Sequence, residues 1–483
     1  MAIARKILFY VFVLFYLILC PIIILYSFGY IYQPKTKDIS QTGILYLSTI
    51  PPGAHIYLEK SRFKDTTPAA ITELNPGSYQ VNLRLKDFRQ WTHHITIEPG
   101  KSLAFKNILL VPDRFQKINI SPDRTYRDLT LINKSKYLIL SAGGKINEFY
   151  TYDMRRDELR ALTGNDPQYA EFSVNAVFSE ETSNFIVIYG GSLWGKQYLL
   201  INLDAESFSP KEITKLFSRP PDRLIWNNDI PDDIFAAYDN SIDRLDIPNV
   251  SVYPKYLDNI KGLGISDKRL YTLSLDNAIT RSTLDKEQVM TLFEDEHLGK
   301  NLFSKSPFYH ITELDKKVLI FRGAKGDLIA TIPPYRILEE GVLGIEFDQS
   351  GDRLLCWTRN DIWLAELNKK DEMDLLFQER VLLKNVYRKG ADISQCFWVY
   401  AGAQLLFKDK SDVFLLELAP DGNHHKENIV TVKQNTDILY NKTDGSLYYI
   451  DQEGHFMKIA ILTREKTFFE TRQKKKAEDS YGF

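Results

Sequence analysis

The sequence predicts a mainly β protein in three parts: an N-terminal transmembrane helix, a small β-sandwich and a large β-propeller of seven or eight blades. Three observations lead there. An uncharged run from Ile7 to Phe28 opens the chain. Short strands between Pro-Gly turns fill residues 43–111. From 113 to 465 a strand–turn–strand unit recurs about every 35–50 residues, the spacing of propeller blades.

Composition agrees. A chain of 483 residues exceeds one ordinary domain. Aromatic content of 13%, with 27 Tyr and 28 Phe, suits strands, where rings fit the pleated surface. The 61 Lys+Arg against 63 Asp+Glu leave a net charge of -2, which removes the electrostatic case for nucleic acid. Three cysteines (Cys20, Cys356 and Cys396) exclude a disulfide framework.

The run Ile7–Phe28 is long enough to cross a hydrocarbon core of about 30 Å. Tyr26, Tyr30 and Tyr32 stand at its far end, where amphipathic rings favour the interface. It exceeds the apolar stretch of a cleaved signal peptide, although Ser27-Phe28-Gly29 is a passable cleavage site. A lipoprotein needs a small residue before the modified cysteine, and Leu19 precedes Cys20. An uncleaved signal anchor is the expectation. Arg5 and Lys6 flank one side, Lys35 and Lys37 the other, so the basic count is nearly tied. The short N-terminal flank argues for an inside N-terminus and extracytoplasmic domains.

After a polar connector, Gln33 to Asp38, come the strands Ile44–Leu47, His55–Leu58 and Tyr79–Leu85. Between them lie the turns Pro51-Pro52-Gly53, Asn75-Pro76-Gly77 and Pro99-Gly100. Tyr79, Val81, Leu83 and Leu85 alternate with polar residues, the period of a half-buried strand. Proline presets φ at such turns and glycine accepts positive φ. A compact antiparallel sandwich follows. The stretch Gly43–Leu110 resembles a PEGA domain in Pro51 with Gly53-Ala54, Ile56-Tyr57-Leu58, Thr67-Pro68, Leu74 with Pro76-Gly77, Tyr79-Gln80-Val81 and Trp91. It departs in having Pro52 for the eponymous Glu and Glu59-Lys60-Ser61 where a glycine is expected. The resemblance implies an envelope-protein module for interaction or spacing rather than catalysis.

The clearest repeat runs from Gly344 to Leu367, with Asp348-Gln-Ser-Gly-Asp352 and Arg359-Asn-Asp361 as its turns. Sisters begin at Lys136, Asn184, Arg269, Lys317, Gln404 and Ser446. Radial repetition of four-stranded blades removes exposed sheet edges. Leu354, Trp357, Ile362 and Leu364 are expected on inner strands of one blade, packed on its neighbours. Paired sandwiches or a solenoid are the alternatives. The stretch Phe347–Leu355 resembles the strand–turn–strand unit of TolB-like and WD40-like propellers, without the Gly-His and Trp-Asp pairs of true WD40 repeats.

No motif carries chemistry. Gly190-Gly-Ser192-Leu-Trp194-Gly195 approaches a nucleophile elbow, but Trp194 occupies the second glycine position. HExxH, CxxC and Walker motifs are absent from the sequence, and Gly143-Gly144-Lys145 reads as a turn. His93-His94 on a strand point to opposite faces and cannot ligate together. His424-His425 reads as a loop tip. Acids gather at Asp232-Asp233, Asp239 with Asp243 and Asp246, and Glu294-Asp295-Glu296, without calcium-loop spacing. Sequons at Asn119, Asn133, Asn249 and Asn441 are near chance frequency.

The organisation read is a cytoplasmic flank 1–6, anchor 7–32, linker 33–42, β domain 43–111, propeller 112–465 and polar tail 466–483. The expected function is a membrane-anchored interaction protein, without catalytic residues, cofactor or metal, whose propeller binds envelope protein, peptide or glycan. A propeller hydrolase or lyase of envelope glycans or peptides is the second reading, and a purely structural envelope protein the third. Acids converging in the channel would favour the enzyme. Oligomeric state stays open.

Overall fold

The computed structural model describes residues 2–462 apart from 34–37, 132–135, 144–147, 162–173, 179–182, 190–194, 206–209, 228–229, 231–232, 314–318, 331–335, 367–382 and 400–401. The polar tail, Asn133, Gly144-Lys145, the Gly190–Trp194 stretch and Asp232 therefore lie outside the described residues.

Helix α1 spans Ala2–Ser27. Its segment Leu8–Ser27 has a mean hydropathy of 2.9 and is long and apolar enough to cross a membrane. Its side chains are largely exposed, and Tyr26 OH in its last turn donates to Glu73 Oε1 at 2.9 Å. The helix ends at Ser27 rather than reaching residue 32. Gly29, at φ +79°, turns the chain, and Tyr30–Gln33 pairs antiparallel with Asp38–Gln41. The residues expected as helix end and linker are thus a hairpin.

The small domain has two sheets. One orders Ala69–Leu74, Gly43–Ile50 and Ser102–Leu109; the other orders Ser61–Thr66, His55–Leu58, Gly77–Arg84 and Trp91–Ile97. The expected antiparallel sandwich needs one correction. Gly43–Ile50 pairs parallel with Ser102–Leu109, because the last strand crosses back to lie beside the first. Leu45, Leu47, Ile56, Val81, Leu83, Ile95 and Phe105 form the core between the sheets. In the strand Trp91–Ile97 the odd-numbered residues are buried and the even-numbered ones half-buried or exposed.

Among the described residues the rest is six four-stranded antiparallel sheets and one eight-stranded sheet made of two such four-stranded units; the eight units, here blades 1 to 8, span 128–161, 174–212, 223–257, 260–293, 309–339, 344–387, 393–431 and 439–460. Blade 8 supplies only three strands of its own. Its fourth is Ile118–Asn119, from before blade 1, paired with Met457 and Lys458. Packing closes the same circle. Leu129 and Tyr152 of blade 1 meet Tyr448 and Phe456 of blade 8. Blades 2 and 3 share Ile186 and Trp226, blades 3 and 4 Phe235 and Leu263, blades 4 and 5 Leu273 and Phe321. Blades 5 and 6 share Ile320 and Leu354, blades 6 and 7 Trp357 and Phe407, blades 7 and 8 Leu406 and Tyr449. Blades 1 and 2 meet through Tyr137, whose hydroxyl donates to Asp204 Oδ1 at 2.9 Å. Among the described residues this is a propeller-like order, each sheet packing on the next and the last on the first.

Strand alternation makes the ring work. In the strand Arg353–Trp357, Leu354 and Cys356 face blade 5, while Leu355 and Trp357 face blade 7. Period-2 patterning thus serves two neighbours at once. The strands carrying Leu354 and Trp357, and Ile362 and Leu364, are the second and third of blade 6, between Gly344–Phe347 and Leu383–Tyr387. First strands are laced together. Trp398 N donates to Glu346 Oε2 at 3.1 Å, and Ile438 N donates to Gln395 Oε1 at 2.8 Å, so side chains satisfy the next blade's backbone. Between blades 4 and 5 the backbones pair directly and in parallel, Gly262 with Tyr309 and Leu263 with His310.

Candidate interaction site

The small domain is locked onto the rim of blade 7. Trp91 Nε1 donates to Glu417 Oε2 at 2.6 Å, a bond between residues far apart in the chain. Trp91 stacks on His93, with ring centroids 5.3 Å apart, and meets Phe105 edge-on. His93 Nε2 lies 2.9 Å from Asp421 Oδ2. Arg89 donates to Glu427 Oε1 and to Asn428 O, each at 2.9 Å. Gln404 Nε2 donates to Asn107 O at 2.6 Å. Apolar contact runs through the same seam: Leu109 and Val111 join the core of blades 7 and 8, and Ala419 joins the core of the small domain.

Burial sets the electrostatics of this seam. It raises the Glu417 carboxyl to about 7; Trp91 opposes the shift and Asp421 adds to it. Burial lowers the His424 imidazole below its usual range. His424 Nδ1 accepts from Ala419 N at 3.1 Å, as a neutral ring does. A protonated Glu417 and a neutral His424 are the forms that a desolvated joint tolerates.

A second polar feature lies on the loops of blade 5. Ser304, Lys305, Lys325, Asp327, Glu340 and Gly341 line a cleft of about 510 Å³. Lys305 pairs with Glu340, and Ser306 Oγ donates to the buried Asp327. Hydroxyls, ammonium groups and carboxylates converge there on a rigid frame, a lining that can hydrogen-bond a polar chain.

The acids singled out in the sequence do not form one site. Asp233 is buried against Arg244 and Asn227. Asp243 accepts from Lys255 N, Asp246 from Asn249, and Asp239 pairs with Arg219. Asp295 caps the short helix Glu296–Leu302, accepting from Leu298 N. In the first strand of blade 6, burial raises the Glu346 carboxyl, but Lys442 and Trp398 N take its two oxygens. His93 is buried and His94 exposed, on opposite faces. His424 is part of the joint rather than a loop tip. Trp91 is core, and its indole nitrogen also bridges the two domains. Glu417, Asp421, Arg89 and Glu427 were not legible as site residues. Their partners are hundreds of positions away, and Glu417 closes the strand Asp412–Glu417 with no motif around it.

Comparison with known proteins adds the following. Residues 42–109 match the PEGA domain family. No curated protein matches the chain. Among solved structures, the chain is similar to PorZ, a bacterial surface component of the type-IX secretion system of Porphyromonas gingivalis, with 13% identity and a TM-score of 0.37. The match covers 69% of this chain and 42% of PorZ, so the chain spans less than half of that protein's length. A computationally designed protein, Ika8, has 10% identity and a TM-score of 0.39, covering 70% of this chain and 96% of its own. The β-propeller domain of Cps50 (Swd1) from Myceliophteria thermophila has 10% identity and a TM-score of 0.38, covering 72% and 100%. Likeness at this level carries no functional assignment, and the ring rests on strand order and packing. The small domain locked to blade 7 is a PEGA domain.

Proposed function

We propose that the chain is a membrane-anchored, extracytoplasmic interaction protein in which the PEGA domain holds a propeller at fixed height and orientation for binding protein, peptide or glycan. The observation that carries this reading is the seam of Trp91–Glu417, His93–Asp421 and Arg89–Glu427. A spacer on a loose linker lets its cargo tumble; this one shares apolar core and buried hydrogen bonds with the ring. The polar cleft of blade 5 is the preferred binding face. A binding role is favoured over hydrolysis because Asp233, Asp239, Asp243, Asp246 and Asp295 each hold a structural partner.

The test is binding of full-length, detergent-purified protein to glycan and peptide arrays, with Lys325→Glu as the cleft variant. Binding lost in the variant supports the reading. Cleaved array ligands overturn it in favour of an enzyme.

A further inference from the structure

We propose that the hairpin Tyr30–Gln33 with Asp38–Gln41 is a second membrane contact, whose apolar face lies in the lipid headgroup layer beside the end of α1. The proposal rests on the reading of α1 as a membrane anchor.

Tyr32 and Ile39 are direct cross-strand partners. Opposed residues of an antiparallel pair share one face. Both are largely open, at 58% and 59% exposure. Ile31 and Ser40, the pair on the opposite face, are half-buried. Among the described residues the two strands form a sheet by themselves. Such ribbons are marginal in water by themselves.

The base of the hairpin is fixed to the end of the helix. Thr42 N donates to Gly29 O at 2.8 Å, and Gln41 Nε2 donates to Phe28 O at 3.0 Å. Tyr26 OH donates to Glu73 Oε1 at 2.9 Å, which ties the last turn of α1 to the PEGA domain. A carboxylate does not enter hydrocarbon cheaply, so this bond sets the depth: Tyr26 lies at the boundary, not in the bilayer centre. From Tyr30 to Tyr32 the strand advances about 7 Å. The headgroup layer is about 5–7 Å thick on each side of the core. Tyr32 and Ile39 are therefore within reach of that layer when the ribbon lies along the membrane surface. Phe28, at 65% exposure, joins the helix and hairpin into one apolar surface.

This continuity with α1 selects the lipid surface as occupant over a protein. Tyrosine is also the residue whose ring favours that depth. One helix alone leaves rotation about its axis free. A lateral contact beside it stops the PEGA domain from rolling, and the seam to blade 7 passes that constraint to the ring.

The test uses the full chain on a Cys20→Ser background, reconstituted in phosphatidylcholine vesicles. A polarity-sensitive fluorophore is placed at Tyr32→Cys or Ile39→Cys, with Leu14→Cys in α1 and Val289→Cys in blade 4 as references. Blue-shifted emission at both hairpin sites, quenched by lipid carrying a shallow nitroxide and protected from iodide, is expected; Val289→Cys should behave oppositely. Quenching at Leu14→Cys without quenching at the hairpin overturns the proposal and leaves the anchor intact. No lipid quenching at any site defeats the anchor reading itself. Hairpin emission shifted but quenched only by a labelled second copy overturns the proposal in favour of self-association.

Discussion

Two joints in this molecule solve one problem, holding neighbouring sheets together, by opposite means. Blades 4 and 5 are joined by backbone pairing laid over a shared apolar core. A Cβ on Gly264 would stand 2.1 Å from Ile311 O, and one on Gly262 would stand 3.1 Å from Tyr309 O. The PEGA domain and blade 7 are joined by side chains, several of them ionisable and buried. The first joint depends on close backbone approach, which leaves no room for a Cβ. The second depends on charge states and responds to pH. Steric joints suit parts that never separate; polar joints specify one docking geometry among many.

The most damaging change should be neither joint but loss of ring closure. Deleting residues 435–483 removes the three strands that blade 8 supplies and leaves Ile118–Asn119 without a partner. Exposed edges then invite aggregation. Light scattering and limited proteolysis should report an associating, protease-sensitive chain; a monomer as resistant as the full protein would contradict the closed ring.

Next, Gly264→Val attacks the steric joint. The clash is with backbone, which cannot rotate away, so a cost of about 3 kcal/mol or more is expected. The loss, read by denaturant unfolding, should be the same at pH 5 and pH 8.

The polar joint should behave differently. Glu417 is raised from an ordinary carboxyl value to about 7 in the folded protein. A raised acid contributes stability that is fully present below the unfolded value and lost as pH rises through 7. Between pH 5 and pH 8 docking should weaken by on the order of 3 kcal/mol at most. His424 slopes the other way, since its lowered value makes acid the unfavourable side. Glu417→Gln should flatten the alkaline limb. Hydrogen exchange in the strand Trp91–Ile97 across this range is the measurement, and an unchanged slope in the variant would assign the pH effect elsewhere.

The smallest effect belongs to Arg89→Ala. Its ion pair with Glu427 is partly open to solvent. A loss of about 0.5–1 kcal/mol is expected, diminishing with salt. A larger, salt-insensitive loss would place the bond to Asn428 O above the charge.

The same contrast explains what could be read in the sequence. Pro-Gly turns, alternation in Tyr79–Leu85 and the repeat around Gly344 are local, so the strands and the ring were legible. The glycines of Ile260–Ser266 also carry a local signal, since glycine inside a strand marks close backbone approach. Strand Ile118–Asn119 is too short to show any period, and only its distant partner makes it a strand. The seam was hidden for a related reason: Trp91 reads as core by any local measure, and nothing near Glu417 points to a residue 326 positions earlier. The hairpin after α1 was masked by its own tyrosines, which read equally well as a helix end.

The closing strand also imposes an order of events. Ile118–Asn119 is made before any blade, yet its partner, around Met457, is nearly the last part of the ring to be synthesised. Blades 1 to 7 can form in sequence, but none completes the circle. Contacts this distant are slow to form, because the intervening chain must be organised first. Throughout that interval the earliest piece of the ring stands beside a finished PEGA domain with its hydrogen bonds unmade. A nascent chain of this kind exposes a waiting edge for most of its synthesis.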